Sequence, residues 1–342
     1  MKVVVTGGSG FLGRTLAVTL LQRGELRGPS GRAEPIDSLV LFDAVGPQET
    51  VGAGDDRVEV VIGDVSDADQ VRVLVDRDDT SVFHLASMVS YGCELDFDAA
   101  LRVNLDGGRA VLEACRSRGG SCRVVFSSSI AAFGGASMPE VVDDTTKLTP
   151  ETTYGTTKAI CELLVNDYTR KGYLDGRTAR LPTVVVRPGR PNAAASSWVS
   201  GIIREPLNGE ECVVPVEATT RVPLSGYRTL VDNLVLLHEA ESSALGDDRS
   251  CNLPAIAVTV EEMIAALRRT ADRPLGPITV RPDPAILEIY RGWARCSAFP
   301  RATALGLAVD ESLDRIIRTY IDDYLAPLTA AGGTVSSSDG PS

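Results

Sequence analysis

Hydrophobic residues in the first 190 positions fall into short, nearly continuous runs, separated by stretches in which apolar positions recur every three or four residues. The runs Lys2–Thr6, Ser38–Phe42, Val58–Ile62, Ser81–Leu85, Arg123–Ser127 and Thr183–Arg187 are rich in β-branched residues and read as strands. The patterns between them, including Phe11–Arg23, Asp67–Val75, Asp98–Ser117 and Thr156–Lys171, read as amphipathic helices. Strands that are apolar on both faces and alternate with helices predict a parallel sheet covered on both sides: an α/β, doubly wound fold of the Rossmann kind.

Past Pro188 the rhythm changes, with prolines at 188, 191, 206, 215 and 223 breaking the pattern. A helix is expected at Ser196–Leu207 and short strands near Cys212–Val216. Thr259 and Glu262 form a capping box that opens a helix to Arg269, and Glu311–Tyr324 gives a last amphipathic helix. The expected division is a Rossmann domain over 1–190, a smaller C-terminal substrate-binding lobe over 191–329, and a Gly/Ser/Thr-rich disordered tail over 330–342.

Composition narrows the function. The 342 residues, 44% of them hydrophobic, suffice for a packed core, and a net charge of −12 disfavours nucleic-acid or anionic-membrane partners. Seven scattered cysteines with no C-x-x-C pair suggest neither a disulfide framework nor a zinc site. Only His84 and His238 are available as imidazole ligands and they lie far apart in the chain, so no catalytic metal is expected. Met1–Thr6 reads as a strand running into a glycine turn rather than as a secretory leader, and no run of about 18 apolar residues occurs. A cytoplasmic, reduced protein is the expectation.

Immediately after the first strand comes Thr6-Gly7-Gly8-Ser9-Gly10-Phe11-Leu12-Gly13. In such a strand-to-helix turn Gly7 allows the bend, Gly10 the approach of a pyrophosphate, and Gly13 the close packing of helix on strand. Free N–H groups at the helix start then bind phosphate. Asp43, at the end of the second strand, stands where an acidic residue accepts ribose hydroxyls and repels a 2′-phosphate, which selects NAD. Asp64 and Val65 follow the third strand, where Asp64 either bonds the adenine amine or caps the next helix. Leu85, Ala86 and Ser87 close the fourth strand and offer backbone to the cofactor, while His84 reads as structural. Asn104, in the next helix, either braces the backbone round the site or is simply solvated.

Tyr154-x-x-x-Lys158 places a phenol and an ammonium one helical turn apart on the same face. A neighbouring cation favours phenolate, so Tyr154 is expected to act as general base below its ordinary pKa of about 10. Ser127-Ser128-Ser129 lies upstream at a strand end, with Ser129 chosen to position the reacting oxygen, Ser128 its close rival, and Ser127 spent at the strand end.

Thr6–Gly13, Asp43, Ser127–Gly134 and Tyr154–Lys158 together resemble the extended short-chain dehydrogenases, the group that includes nucleotide-sugar epimerases. In that group the serine matching Ser129 stands 25 positions before the tyrosine, as it does here. The block Leu181–Ser197 and the following Gly201–Pro206 are similar to the D-erythronate dehydrogenase family, a resemblance covering most of residues 1–325. It implies NAD-linked oxidation of a small sugar acid, D-erythronate, at C2, with Pro188 beside the cofactor and a homodimer built through Asp98–Ser117 and Thr156–Lys171.

A hydroxy-acid substrate needs its carboxylate matched. Asn192, Ser196 and Ser197 at a helix start, together with Arg190, Arg204 or Arg221, are the candidates, and Arg221 is the one carried forward. Two other functions compete: an epimerase using the same trio with no net redox change, and a non-catalytic NAD sensor, which would have little use for the Tyr/Lys pair. A dehydratase is disfavoured because Ile130-Ala131 occupies the positions where an Asp-Glu acid/base pair would be needed.

Overall fold

The computed structural model describes residues 1–47, 51–120, 122–191 and 194–325. The expected disordered tail over 330–342 lies outside them. The main elements are β1 (Lys2–Thr6), α1 (Phe11–Arg23), β2 (Ser38–Asp43), β3 (Val58–Ile62), α2 (Ala68–Leu74), β4 (Thr80–His84), α3 (Gly107–Arg116), β5 (Arg123–Ser129), α4 (Thr153–Arg170), β6 (Asp175–Leu181) and β7 (Thr183–Val185). After them come α5 (Ser197–Leu207), β8 (Arg221–Gly226), α6 (Tyr227–Glu239), β9 (Ser250–Asn252), β10 (Ile256–Thr259), α7 (Val260–Thr270) and α8 (Leu313–Tyr320).

Seven strands form one parallel sheet in the order β3-β2-β1-β4-β5-β6-β9. The order reverses between β1 and β4, and ligands of doubly wound sheets bind at that switch, outside the carboxyl ends of the strands. One apolar cluster, including Leu16, Leu20, Leu230 and Leu234, fills the face under α1 and α6. A second, including Val71, Val111, Cys161 and Val165, fills the face under α2, α3 and α4. A third gathers round α5, α7 and α8, beside a small sheet of β7, β8 and β10.

The sixth strand corrects the expected register. Thr183–Arg187 was expected to complete the main sheet, but Asp175–Leu181 does so, and only Thr183–Val185 is a strand, in the small sheet beside β8. The main-sheet strand is disguised by Arg177 and Arg180, both buried and both engaged by partners the fold brings to them. Arg177 donates to the carbonyls of Asp175 (3.0 Å) and Ala240 (2.7 Å), and Arg180 pairs with Glu162. After the small sheet begins, α6 packs against α1 and β9 joins the edge of the main sheet beside β6, so residues beyond 190 also complete the first layer. The Thr259–Glu262 capping box forms as expected. No described helix is long and apolar enough to cross a membrane.

Candidate active site

The glycine turn is built by close approach. Gly7 has φ +73°, and a Cβ there would stand 2.8 Å from the Ala86 nitrogen. A Cβ on Gly13 would stand 2.2 Å from the Gly7 carbonyl oxygen, so no side chain fits between α1 and the turn. Gly10 is exposed and caps α1 without a side chain, and the first turn of α1 carries no acidic residue. The positive end of α1 is thus left for an anion. Gly7, Gly10, Phe11, Leu12 and Gly13 line a cavity of about 380 Å³, and Leu85 and Ser87 extend its wall.

Asp43 closes β2 beside this turn. Its Oδ2 accepts the Ser9 N–H at 3.0 Å, and a carboxylate has further lone pairs free for hydroxyl donors. Asp64 is exposed and accepts both the N–H (2.9 Å) and the hydroxyl (2.7 Å) of Ser66, while the cap of α2 is Asp67. The capping alternative for Asp64 is therefore replaced by a local turn. Val65 is buried against Gly107, and Ala86 donates its N–H to the Thr6 hydroxyl at 3.3 Å. Asn104 is buried in a π-helical turn, Leu101–Asp106, rather than solvated. Its Oδ1 accepts the N–H of Met88 (2.7 Å) and the hydroxyl of Ser87 (3.1 Å), and its Nδ2 donates to Thr157 Oγ1 (3.4 Å). Thr157 in turn donates to the Tyr154 carbonyl at 2.9 Å, so Asn104 ties the end of β4 to the first turn of α4.

The head of α4 is pressed onto the end of β5. Thr152 caps it by accepting the Gly155 N–H at 3.1 Å, and a Cβ on Gly155 would stand 2.1 Å from the Ala131 carbonyl oxygen. That contact brings Tyr154 to the serines, and Tyr154, Lys158, Ser128 and Ser129 all line the same cavity. The three serines have different partners. Ser127 donates to the His84 carbonyl at 2.9 Å, and Ser128 to the buried carboxylate of Glu162, which Arg180 grips through Nε and Nη2. Ser129 accepts the Ala131 N–H at 3.1 Å and shares the cavity wall with Tyr154, close enough to favour its phenolate.

The electrostatics of the pair differ from expectation. Desolvation pushes the Tyr154 phenol up to about 12, with the Ser129 hydrogen bond pulling the other way. Desolvation likewise pulls the Lys158 ammonium down to about 8. The ammonium is turned to the Ser127 carbonyl, 2.7 Å away, and lies 5.5 Å from the centre of the Tyr154 ring. Burial therefore outweighs the expected lowering of the phenol by Lys158, because both partners lose water while the cation is spent on a carbonyl.

The expected carboxylate-binding residues separate. Ser196 and Ser197 line the cavity, as does Arg204, which is buried and already bonded to the Arg187 carbonyl (2.7 Å) and Glu205 (2.6 Å). Arg190 is exposed and outside it, and Asn192 lies outside the described residues. Arg221 belongs instead to a smaller neighbouring cavity of about 170 Å³, which shares Ile130, Thr183 and Trp293 with the first, and its guanidinium bonds the Ala257 carbonyl at 3.0 Å. Pro188 is not part of the cavity wall; Leu181, Pro182, Thr183 and Val184 are, because the main-sheet strand ends at Leu181. Sequence reading also passed over Arg187, Ser90 and Trp293 in the wall. A correct end for β6 would have pointed to Pro182–Val184; nothing in the local sequence marks Trp293.

The pattern of one known family matches residues 3–247: the NAD dependent epimerase/dehydratase family. The chain belongs to it. NAD is thereby the cofactor, and the uncapped α1 and its glycine cradle fit a dinucleotide. Across the family the chain is similar to a D-erythronate dehydrogenase of Cupriavidus necator, 48% identical over 94% of this chain and 98% of that protein. It is also similar to a D-erythronate dehydrogenase of Haemophilus influenzae, 40% identical over 94% of this chain and 99% of that one. Among solved structures it resembles a nucleoside-diphosphate-sugar epimerase from Agrobacterium tumefaciens, with 38% identity, a TM-score of 0.86, and coverage of 95% of this chain and 94% of that one.

Proposed function

We propose that the chain oxidises D-erythronate at C2 to 2-dehydro-D-erythronate, with reduction of NAD. The observation that carries this reading is end-to-end similarity to two D-erythronate dehydrogenases, at 48% and 40% identity. The cavity agrees with it. Behind Ser129 its wall is Ile130 and Ala131, both apolar and buried, so the carboxylate pair that a dehydration would need is missing there.

When bound, oxidised NAD supplies the hydride acceptor and a positive ring that favours phenolate over phenol. Tyr154 takes the hydroxyl proton as the C2–O bond becomes a carbonyl, and its phenol then carries that proton. Ser129 holds the reacting oxygen through the hydroxyl it presents to the same cavity as Tyr154. Lys158 keeps a cation beside the phenol and would hold the nicotinamide ribose. Asp43 would accept hydroxyls of the adenosine ribose; Gly7, Gly10, Phe11, Leu12 and Gly13 would seat the phosphates; Asp64 and Val65 would hold the adenine; and Leu85, Ala86 and Ser87 would line the path between. Ser128 and Asn104 act as positioning residues through Glu162 and Thr157.

The test is purified protein with NAD, offered four- and five-carbon sugar acids beside UDP-sugars, followed by NADH absorbance and product analysis. Net NADH from erythronate supports the dehydrogenase. Epimer formation without NADH would replace it by an epimerase, and neither would leave an NAD-binding sensor.

A cytoplasmic homodimer through the helices around 98–117 and 156–171 completes the proposal. Leu163 on α4 and the nearby Tyr91, Leu95 and Phe97 are exposed apolar side chains suited to such a face. A monomeric mass by light scattering would overturn it. The division at 190 is proposed for the same functional reason: most of the cofactor cradle precedes it, and α5 with its serines follows it.

A further inference from the structure

Arg187 stands in the wall of the catalytic cavity with Tyr154 and Ser129. Its backbone is fixed at both polar groups by α5: its N–H is accepted by the Ser200 hydroxyl at 3.0 Å, and its carbonyl accepts from Arg204 at 2.7 Å. Its side chain is treated differently. Nη1 is buried with no hydrogen-bond partner, and no ion pair involves this guanidinium among the described residues. Arg204, the cation beside it, is neutralised by Glu205 at 2.6 Å, so the two guanidinium groups are not equivalent. Desolvation and the Arg204 charge both press the Arg187 pKa down, which is the cost of holding a cation in this wall without an anion.

We propose that Arg187 binds the substrate carboxylate, and so restricts the site to 2-hydroxy acids. This rests on the dehydrogenase reading above. In a 2-hydroxy acid the carboxylate is bonded to the carbon that loses hydride, so an anion anchor must share the cavity of Tyr154 and Ser129. Arg187 shares it, whereas Arg190 and Arg221 do not. A planar guanidinium with a free edge matches a carboxylate in two parallel bonds. The N-terminal turn of α5, with Ser196 and Ser197 in the same wall, adds donors and a positive helix end. A diphosphate is the other anion a dinucleotide enzyme holds, and the experiment separates the two.

The test compares wild type with Arg187→Met and Arg187→Lys, measuring kcat and KM for erythronate and the NADH dissociation constant by fluorescence. The expected result is a KM raised roughly 10- to 100-fold in Arg187→Met, with a smaller rise in Arg187→Lys. NADH affinity should stay unchanged, and added guanidinium should recover part of the loss in Arg187→Met. Unchanged KM, or a parallel loss of NADH affinity that would assign Arg187 to the diphosphate, overturns the proposal. If wild type oxidises no sugar acid, the dehydrogenase reading itself fails; if it does and Arg187→Met matches it, only the carboxylate assignment fails.

Discussion

The Lys158 ammonium donates to the Ser127 carbonyl at 2.7 Å, which ties the catalytic helix to the strand end that carries Ser129. Phenol, ammonium and serine are therefore set by the packing of α4 on β5. Replacing Tyr154 by Phe keeps that packing and removes only the proton acceptor. We expect kcat to fall by about 10²- to 10⁴-fold while NADH affinity holds within about twofold. Steady-state rates with a fluorescence titration check both, and near-normal turnover would remove Tyr154 from its role.

Ser128 and Ser129 stand side by side yet should respond differently. Ser128 is engaged with Glu162, itself held by Arg180 in a buried pair, whereas Ser129 shares the cavity wall with Tyr154 and its hydroxyl accepts the Ala131 N–H. Ser129→Ala should lower kcat/KM strongly at nearly unchanged stability. Ser128→Ala leaves a buried carboxylate one donor short and should cost about 1–3 kcal/mol of stability, with turnover reduced much less. Denaturant titrations beside the kinetics distinguish the two, and a reversed pattern would make Ser128 the substrate-facing hydroxyl.

The glycine turn offers a similar contrast. An alanine at 13 would bring its Cβ to 2.2 Å from the Gly7 carbonyl oxygen and 2.8 Å from the Gly8 Cα, which forces the helix off the turn. Gly13→Ala should lose about 1–3 kcal/mol in stability as well as NADH binding. At Gly10 the nearest clash is milder, 3.2 Å to the same oxygen, and the residue is exposed. Gly10→Ala should fold normally and lose only NADH affinity. Calorimetry of both variants, with and without NADH, checks this; a Gly10→Ala protein that binds NADH normally would show that no phosphate approaches there.

Much of this site was legible before the structure. Close approach leaves a strong mark in sequence because only glycine survives it, as at Gly7 and Gly13, and a Tyr-x-x-x-Lys spacing fixes which face of a helix is used. Strand β6 was not legible, since Arg177 and Arg180 look like surface residues until the fold brings Ala240 and Glu162 to them. The resemblance pointed to Pro188 beside the cofactor, whereas the proline in the cavity wall is Pro182. Which arginine faces the cavity was beyond the sequence for a related reason. Arg221 lines the neighbouring cavity, and Arg187 and Arg204, which share the catalytic one, differ in what their neighbours have already claimed.

The imidazole of His84 is buried behind this site, with Nδ1 2.6 Å from the Thr6 hydroxyl and its ring 5.7 Å from the centre of Phe126. Burial, aided by the Lys158 charge, pulls its pKa from 6.5 down to about 3. The folded chain thus refuses a proton that the unfolded chain accepts below about pH 6.5. Stability from this group is fully present above 6.5 and is lost as pH falls from there toward 3. His238, buried against Phe83, is shifted in the same direction and adds to the slope. His84→Asn keeps a polar partner for Thr6 and removes one titrating group. We expect it to lower stability at pH 7 but to flatten the dependence of unfolding free energy on pH between 6 and 4 by about 1.4 kcal/mol per pH unit, the value of one proton. The slope from carboxylates is common to both proteins and cancels in the comparison. Urea titrations across that range decide the matter, because an unchanged slope would mean that His84 is already protonated in the fold.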